Sequence, residues 1–239
     1  MKKIIVILSA LILIGLEGCI WDHHPYCKNG RGSRISEHFR LSDFDAVRLG
    51  LEATVFIEQG SESNITVRAQ ENIIDVLDLR VRNHTLLIDS DRCIWDHSPI
   101  EIFITMPEIK DLVVSGAGQI VGENTFSTTT IELLVSGSGR IDLSIETERV
   151  KSTISGSGDI KLEGIANLAS HRISGSGNAR AFNLESSTAE ITISGSGNAE
   201  VWVTAYLDVN ISGSGQVYYR GKPTMDLNIS GSGNVVDSN

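Results

Sequence analysis

Along most of this chain apolar and polar residues alternate, and the alternation itself repeats. The tetrad Ser-Gly-Ser-Gly, once Ser-Gly-Ala-Gly, begins at Ser115, Ser136, Ser155, Ser174, Ser194, Ser212 and Ser230, at intervals of 21, 19, 19, 20, 18 and 18 residues. One residue before each tetrad stand Val114, Val135, Ile154, Ile173, Ile193, Ile211 and Ile229, all β-branched. Five residues after the first serine come Ile120, Ile141, Ile160, Ala179, Ala199, Val217 and Val235. Seven after it come Gly122, Leu143, Leu162, Ala181, Val201, Tyr219 and Asp237, mostly apolar. Three before it, Leu112, Leu133, Ile191, Val209 and Leu227 are apolar, while Ser152 and His171 break the rule.

These positions share one parity, and strand side chains alternate faces with a period of two. The pattern predicts an inward apolar face, both glycines inward with it, and the serines outward. Each unit reads as strand, glycine corner, strand and a more variable return. One unit has a single apolar face and cannot bury it alone, so the units must stack. The prediction is an all-β, single-stranded β-helix, a β-solenoid with Ser-Gly-Ser-Gly corner turns, over residues 111–239. Seven rungs spaced as strands are would make a rod of roughly 29 Å, with the outward serines stacked in two ladders. The last repeat is followed closely by Asn239, so the terminal coil is expected to need a cap or a partner for its strand edge.

Residues 35–110 lack the glycine tetrad but still read as β. Strands are predicted at 53–58, 64–69, 79–82, 85–89 and 100–106, with turns at Gly60 to Ser63 and Arg82 to His84 and one helical turn at 72–77. This region is expected to form the first, less regular layers of the same solenoid. Residues 19–34 hold Pro, Gly, Asn and charges and read as a tether.

The N-terminus changes the picture of where the solenoid sits. Lys2 and Lys3 precede an apolar run from Ile4 to Leu16 that is too short to span a bilayer. It has the length and flanks of a signal-peptide core. It ends in Leu16-Glu17-Gly18-Cys19, which resembles a bacterial lipobox. Residues 1–18 are therefore expected to be a lipoprotein signal peptide and Cys19 the lipidated residue, anchoring the protein in a membrane. Ile20, rather than Asp, follows the cysteine, which by the usual sorting logic permits transport to the outer membrane, surface-exposed or facing the periplasm.

The formal net charge is −10, and residues 1–18 hold two lysines and one glutamate, leaving −11 on the remainder. Lysines and arginines are scattered, so a nucleic-acid partner is not expected. Cys27 and Cys93 are candidates for a disulfide in an oxidising compartment.

A Phe44-Asp45 start, a Val-x-Ile-x-Gln-Gly hairpin from Val55 to Gly60, a Glu-Asn-Ile-Ile segment from Glu71 to Ile74 and the serial Ser-Gly-Ser-Gly turns together resemble one known family. It is the putative auto-transporter adhesin, head GIN domain family, and the likeness runs from about residue 43 to 235. The resemblance implies a right-handed β-helix on an envelope lipoprotein with an adhesin-like role, and it carries over no catalytic residues.

Candidate chemistry is sparse. Calcium-binding β-rolls need an acidic residue after the second glycine of their repeat. Here that position holds Gln119, Arg140, Asp159, Asn178, Asn198, Gln216 and Asn234, so no cofactor is expected. Cys19-Ile-Trp-Asp-His-His-Pro nearly recurs as Cys93-Ile-Trp-Asp-His-Ser-Pro. Asp22, His23, His24, Asp96 and His97 are thus the residues from which a transition-metal site could be built. Against it, an adjacent Asp-His pair in a strand points to opposite faces. No enzyme is expected: Asp142, Lys161, Arg180 and Glu200 form an outward charge ladder without a focus, and His38, His84 and His171 are isolated. The aromatics are few, so their grouping is informative. Trp202 and Tyr218 have outward parity on neighbouring coils, with Tyr206 nearby. They could form a stacking platform for a glycan, an interface for an extracellular protein, or a cover for the C-terminal end. The leading expectation is a binding or adhesion module. The alternatives are a periplasm-facing structural or signalling protein that self-assembles as a homo-oligomer through its solenoid end, and a polysaccharide-acting enzyme.

Overall fold

The computed structural model describes residues 27–239. The expected signal peptide, the lipidation site Cys19 and the candidate ligands Asp22, His23 and His24 lie outside these residues.

The repeats form the body of a β-solenoid of about 7 turns. Strands β10 (Asp111–Gly116), β11 (Gln119–Gly137), β12 (Arg140–Gly156), β13 (Asp159–Gly175), β14 (Asn178–Gly195) and β15 (Asn198–Gly213) stack in parallel. The last coil is β16 (Gln216–Arg220), β17 (Thr224–Gly231) and β18 (Asn234–Asp237). The register is that of the repeat: Ser115, Ser136, Ser155, Ser174, Ser194, Ser212 and Ser230 are each paired with the next. Each full coil has two runs of strict alternation. In β12, Ile141, Leu143 and Ile145 are buried after one corner and Val150, Ser152 and Ile154 before the next. The variable return between them, Glu146 to Arg149, is a polar corner without buried residues.

The glycine corners correct one expectation. Only the second glycine of each tetrad points inward. A Cβ on Gly215 would lie 2.5 Å from the Gly197 carbonyl oxygen and 2.6 Å from Ile193 Cγ2, so the apolar row of the coil beneath fills that space. The first glycine is accessible to solvent and adopts a positive φ, +120° at Gly156. Its missing Cβ points along the stack, 2.5 Å from the Gly137 carbonyl oxygen. Strand parity fails there because the left-handed residue turns the chain. The tight approach lets the corner backbone bond from coil to coil, as in Ser157 N–H to Gly137 O at 2.9 Å and Asp159 N–H to Gly139 O at 3.0 Å.

The N-terminal layers are not laid down in chain order. After β1 (Lys28–Asn29) and β2 (Arg34–Phe39), strands β3 (Ala46–Leu49) and β4 (Thr54–Gln59) form the coil that abuts β10 and β11. The chain then runs outward through β5 (Asn64–Gln70), helix α1 (Glu71–Ile74) and β6 (Leu77–Arg82). It returns through β7 (Thr85–Ser90), β8 (Ile94–Trp95) and β9 (Glu101–Met106), of which β7 and β9 slot between that outer layer and β3–β4. The outer layer is antiparallel: β6 to β7, β5 to β9, and β2 to β5. Asn83 and His84 take positive φ values of 49° and 59° in the turn between β6 and β7. Ile73 and Ile74 of α1 are buried and close this end of the core. From β9 the chain crosses back to β10, held by Lys110 Nζ to Asp45 Oδ2 at 2.8 Å.

The segment before β2 is more than a tether. Cys27 and Cys93 are joined by a disulfide with Cα atoms 4.6 Å apart. β1 pairs with Ile94–Trp95, the second copy of the Cys-Ile-Trp-Asp-His motif. Gln70 is buried and fastens this segment: its amide donates to Gly32 O at 3.1 Å and accepts from Ser98 N–H at 3.0 Å.

Candidate binding wall

The wall that follows each glycine corner carries the outward side chains singled out from the sequence. One row runs along it through His38, Thr66, Phe103, Phe56, Val121, Asp142, Lys161, Arg180, Glu200, Tyr218 and Val236, each paired with the next. The charged ladder is therefore real and central. It is flanked on the cap side by Phe103 and Phe56, stacked with ring centroids 5.1 Å apart, and on the C-terminal side by Tyr218. The charges pair locally, with Lys161 Nζ 3.3 Å from Asp142 Oδ1. At this degree of exposure such pairs contribute little stability.

A second row, two residues earlier, is an amide ladder. Asn178 Nδ2 donates to Asp159 Oδ1 at 2.9 Å, and Asn198 Nδ2 to Asn178 Oδ1 at 3.1 Å. Arg140 and Arg180 each stand 3.6 Å from Asp159. Asp159, the acidic member of the position that calcium-binding rolls use, is thus engaged by two guanidiniums.

Trp202 opposes Arg220 on the next coil, and Tyr218 is two residues earlier on that coil. The two aromatics are thus diagonal neighbours on one wall. Tyr218 Oη donates to Gln216 Oε1. The Arg220 guanidinium lies 4.3 Å from the centroid of the Phe182 ring. Phe182 and Arg220 join the aromatic group; both stand eight residues after the first serine of their tetrads, Ser174 and Ser212, the offset that Trp202 has from Ser194, so the repeat marks them and the search for aromatic neighbours passed them over. Tyr206 pairs with Thr188 and Thr224, past the break in alternation at Thr204–Ala205, and so lies beyond the corner from Trp202.

Other surfaces are less developed. Asp96 has φ 43° and the His97 ring Nδ1 contacts Ser98 O at 2.7 Å. Among the described residues no three His, Cys, Asp or Glu side chains gather as a metal site. A groove of about 410 Å³ beside the wall that precedes the glycine corner is lined by Lys110, Asp111, Thr128 to Thr130 and Glu132. Burial first, and then Glu132, pushes the Asp111 carboxyl above its ordinary range.

Comparison with known proteins places this architecture in a class. The sequence profile of the family described as putative auto-transporter adhesin, head GIN domain, matches residues 43–223, and the chain belongs to that family. Three solved structures share the fold. A putative adhesin from Bacteroides fragilis has a TM-score of 0.84 at 24% identity, covering 88% of this chain and 100% of its own. A putative lipid binding protein from Parabacteroides distasonis has a TM-score of 0.76 at 25% identity, covering 89% of this chain and 99% of its own. A putative adhesin from Parabacteroides merdae has a TM-score of 0.73 at 20% identity, covering 90% of this chain and 100% of its own. Among curated proteins none matches. The family and these neighbours are named as adhesins or binding proteins, not as enzymes.

Proposed function

We propose that this protein is a cell-envelope binding module, lipid-anchored through Cys19 in the outer membrane, that offers its post-corner wall to a glycan or an extracellular protein. The adhesin-type family supports an envelope location and a binding role. The observation that carries the reading to a surface is the wall itself: a straight row of partly exposed charges that runs into Tyr218, with Trp202, Phe182 and Arg220 beside it. Solenoids bind extended ligands along such walls without a deep pocket. Rings with one polar edge suit both sugar stacking and protein contact.

Protease treatment of intact cells, with a periplasmic protein as lysis control, tests the outward location. Peptides from Arg34 onward should be released from whole cells. A glycan and matrix-protein array then tests the wall, with Trp202→Ala and Tyr218→Ala as comparisons. Release only after lysis would remove the adhesive reading.

A further inference from the structure

The two ends of the solenoid lie at different distances, along the chain, from the proposed anchor. At the N-terminal cap Cys27 is bonded to Cys93, and in the short parallel pair β1–β8 Asn29 stands opposite Trp95. Trp95 is 57% exposed. Ile35, near the start of β2 in the outermost layer, is 39% exposed. Gln70 ties the two stretches together through its bonds to Gly32 and Ser98. The cap therefore shows solvent two large apolar side chains at the point where the disulfide fastens the incoming chain. In the segments on either side of that disulfide, Lys28, Arg31 and Arg92 stand against Asp91 and Asp96.

We infer that this cap rests on the lipid surface that holds Cys19, with Trp95 at the level of the headgroups. The inference depends on the proposed anchor and adds an orientation to it. Cys27 is eight residues on from Cys19, so even fully extended chain holds the disulfide within about 28 Å of the lipidated residue. Trp95, two residues past Cys93, shares that short reach. An indole, apolar in body with one N–H donor, is a side chain that membrane interfaces favour. The chain as a whole carries a net charge of −10, which anionic headgroups repel, but around the disulfide three cations face two carboxylates and that repulsion is absent. The aromatic group of the binding wall is far from this contact. Tyr218 stands seven strand steps from Phe103 along the row, roughly 34 Å at the ordinary strand spacing. Docking the cap leaves that end of the wall away from the membrane, open to a ligand.

The mature, lipidated full chain in vesicles of phosphatidylethanolamine and phosphatidylglycerol tests this, with acyl chains brominated close to the headgroup as quencher. Trp21→Phe/Trp202→Phe leaves Trp95 as the reporter, and Trp21→Phe/Trp95→Phe leaves Trp202. Trp95 is expected to lose about half of its emission, as a ring at the interface should, and Trp202 to keep its own. Vesicle flotation reads the anchor separately: the parent should float and Cys19→Ser should not. Floating protein whose Trp95 is undimmed would overturn the docking and leave the anchor standing. Equal quenching of both reporters would overturn it by laying the solenoid along the bilayer. A parent that floats no better than Cys19→Ser would remove the anchor and, with it, the short reach on which the docking depends.

Discussion

Ser152 and His171 are the two polar residues of an otherwise apolar inward row, and on neighbouring coils they meet: Ser152 Oγ lies 2.6 Å from His171 Nδ1. Both are about 1% exposed. The exception to the repeat is thus a pair, each member satisfying the other where neither can reach water. The second ring nitrogen, Nε2, has no hydrogen-bond partner among the described residues.

Acid should weaken the fold through this pair. Burial lowers the His171 pKa from 6.5 to about 4. Between those values the unfolded chain binds the proton and the folded chain does not, so stability rises with pH. The contribution of neutral His171 is complete above the unfolded value and is lost, by about 3 kcal/mol, as pH falls to the folded one. Urea unfolding at pH 7 and pH 4 should show the loss in the parent and a smaller one in Ser152→Ala/His171→Leu. Equal pH slopes would refute the assignment. Ser152→Ala alone should cost about 1–3 kcal/mol at neutral pH by orphaning the ring Nδ1.

The corner glycines should differ among themselves. At Gly116 (φ +109°) a Cβ would meet nothing within 4 Å, whereas at Gly156 (φ +120°) it would lie 2.5 Å from the Gly137 carbonyl oxygen. Gly116→Ala is expected to cost only the backbone strain, about 1–3 kcal/mol. Gly156→Ala adds a backbone clash that pushes two coils apart, and it should be clearly the more destabilising in thermal melts. Equal costs would mean that the corner, not the stacking, demands glycine.

The Cys27–Cys93 bridge closes a separation of 66 residues across the N-terminal cap. Opening it should lower stability by about 2–4 kcal/mol. In Cys27→Ser/Cys93→Ser, hydrogen exchange should accelerate first in β1, β2 and α1, while amides of β12 to β14 keep their protection. Uniform acceleration would show that the cap and the repeats unfold as one unit.

Removing the aromatic group should uncouple binding from folding. Trp202 is 36% exposed, so Trp202→Ala should leave the circular dichroism spectrum unchanged. If the wall binds, truncating such an anchor should weaken affinity by about 2 kcal/mol, seen in titration of a captured ligand. Arg220→Ala, which strips the cation from Phe182, is expected to act in the same direction by a smaller amount.

Much of this was legible in the sequence. A tetrad at near-constant spacing, with β-branched residues at fixed offsets, dictates which side chains face in and which coils must pair, because alternation is local and stacking repeats it. The serine ladder, the charge ladder and the diagonal placement of Trp202 and Tyr218 follow from that periodicity alone. Tertiary structure decided the rest. The first glycine of each tetrad leaves the strand parity because its left-handed backbone redirects the chain along the stack. β7 and β9 slip between layers that precede them in sequence, since the antiparallel pairing that closes the core depends on contacts far apart in the chain. Tyr206 is separated from Trp202 by a corner whose length varies from coil to coil. Ser152 and His171, two apparent faults in separate repeats, become a hydrogen-bonded pair only when stacking brings their coils into register.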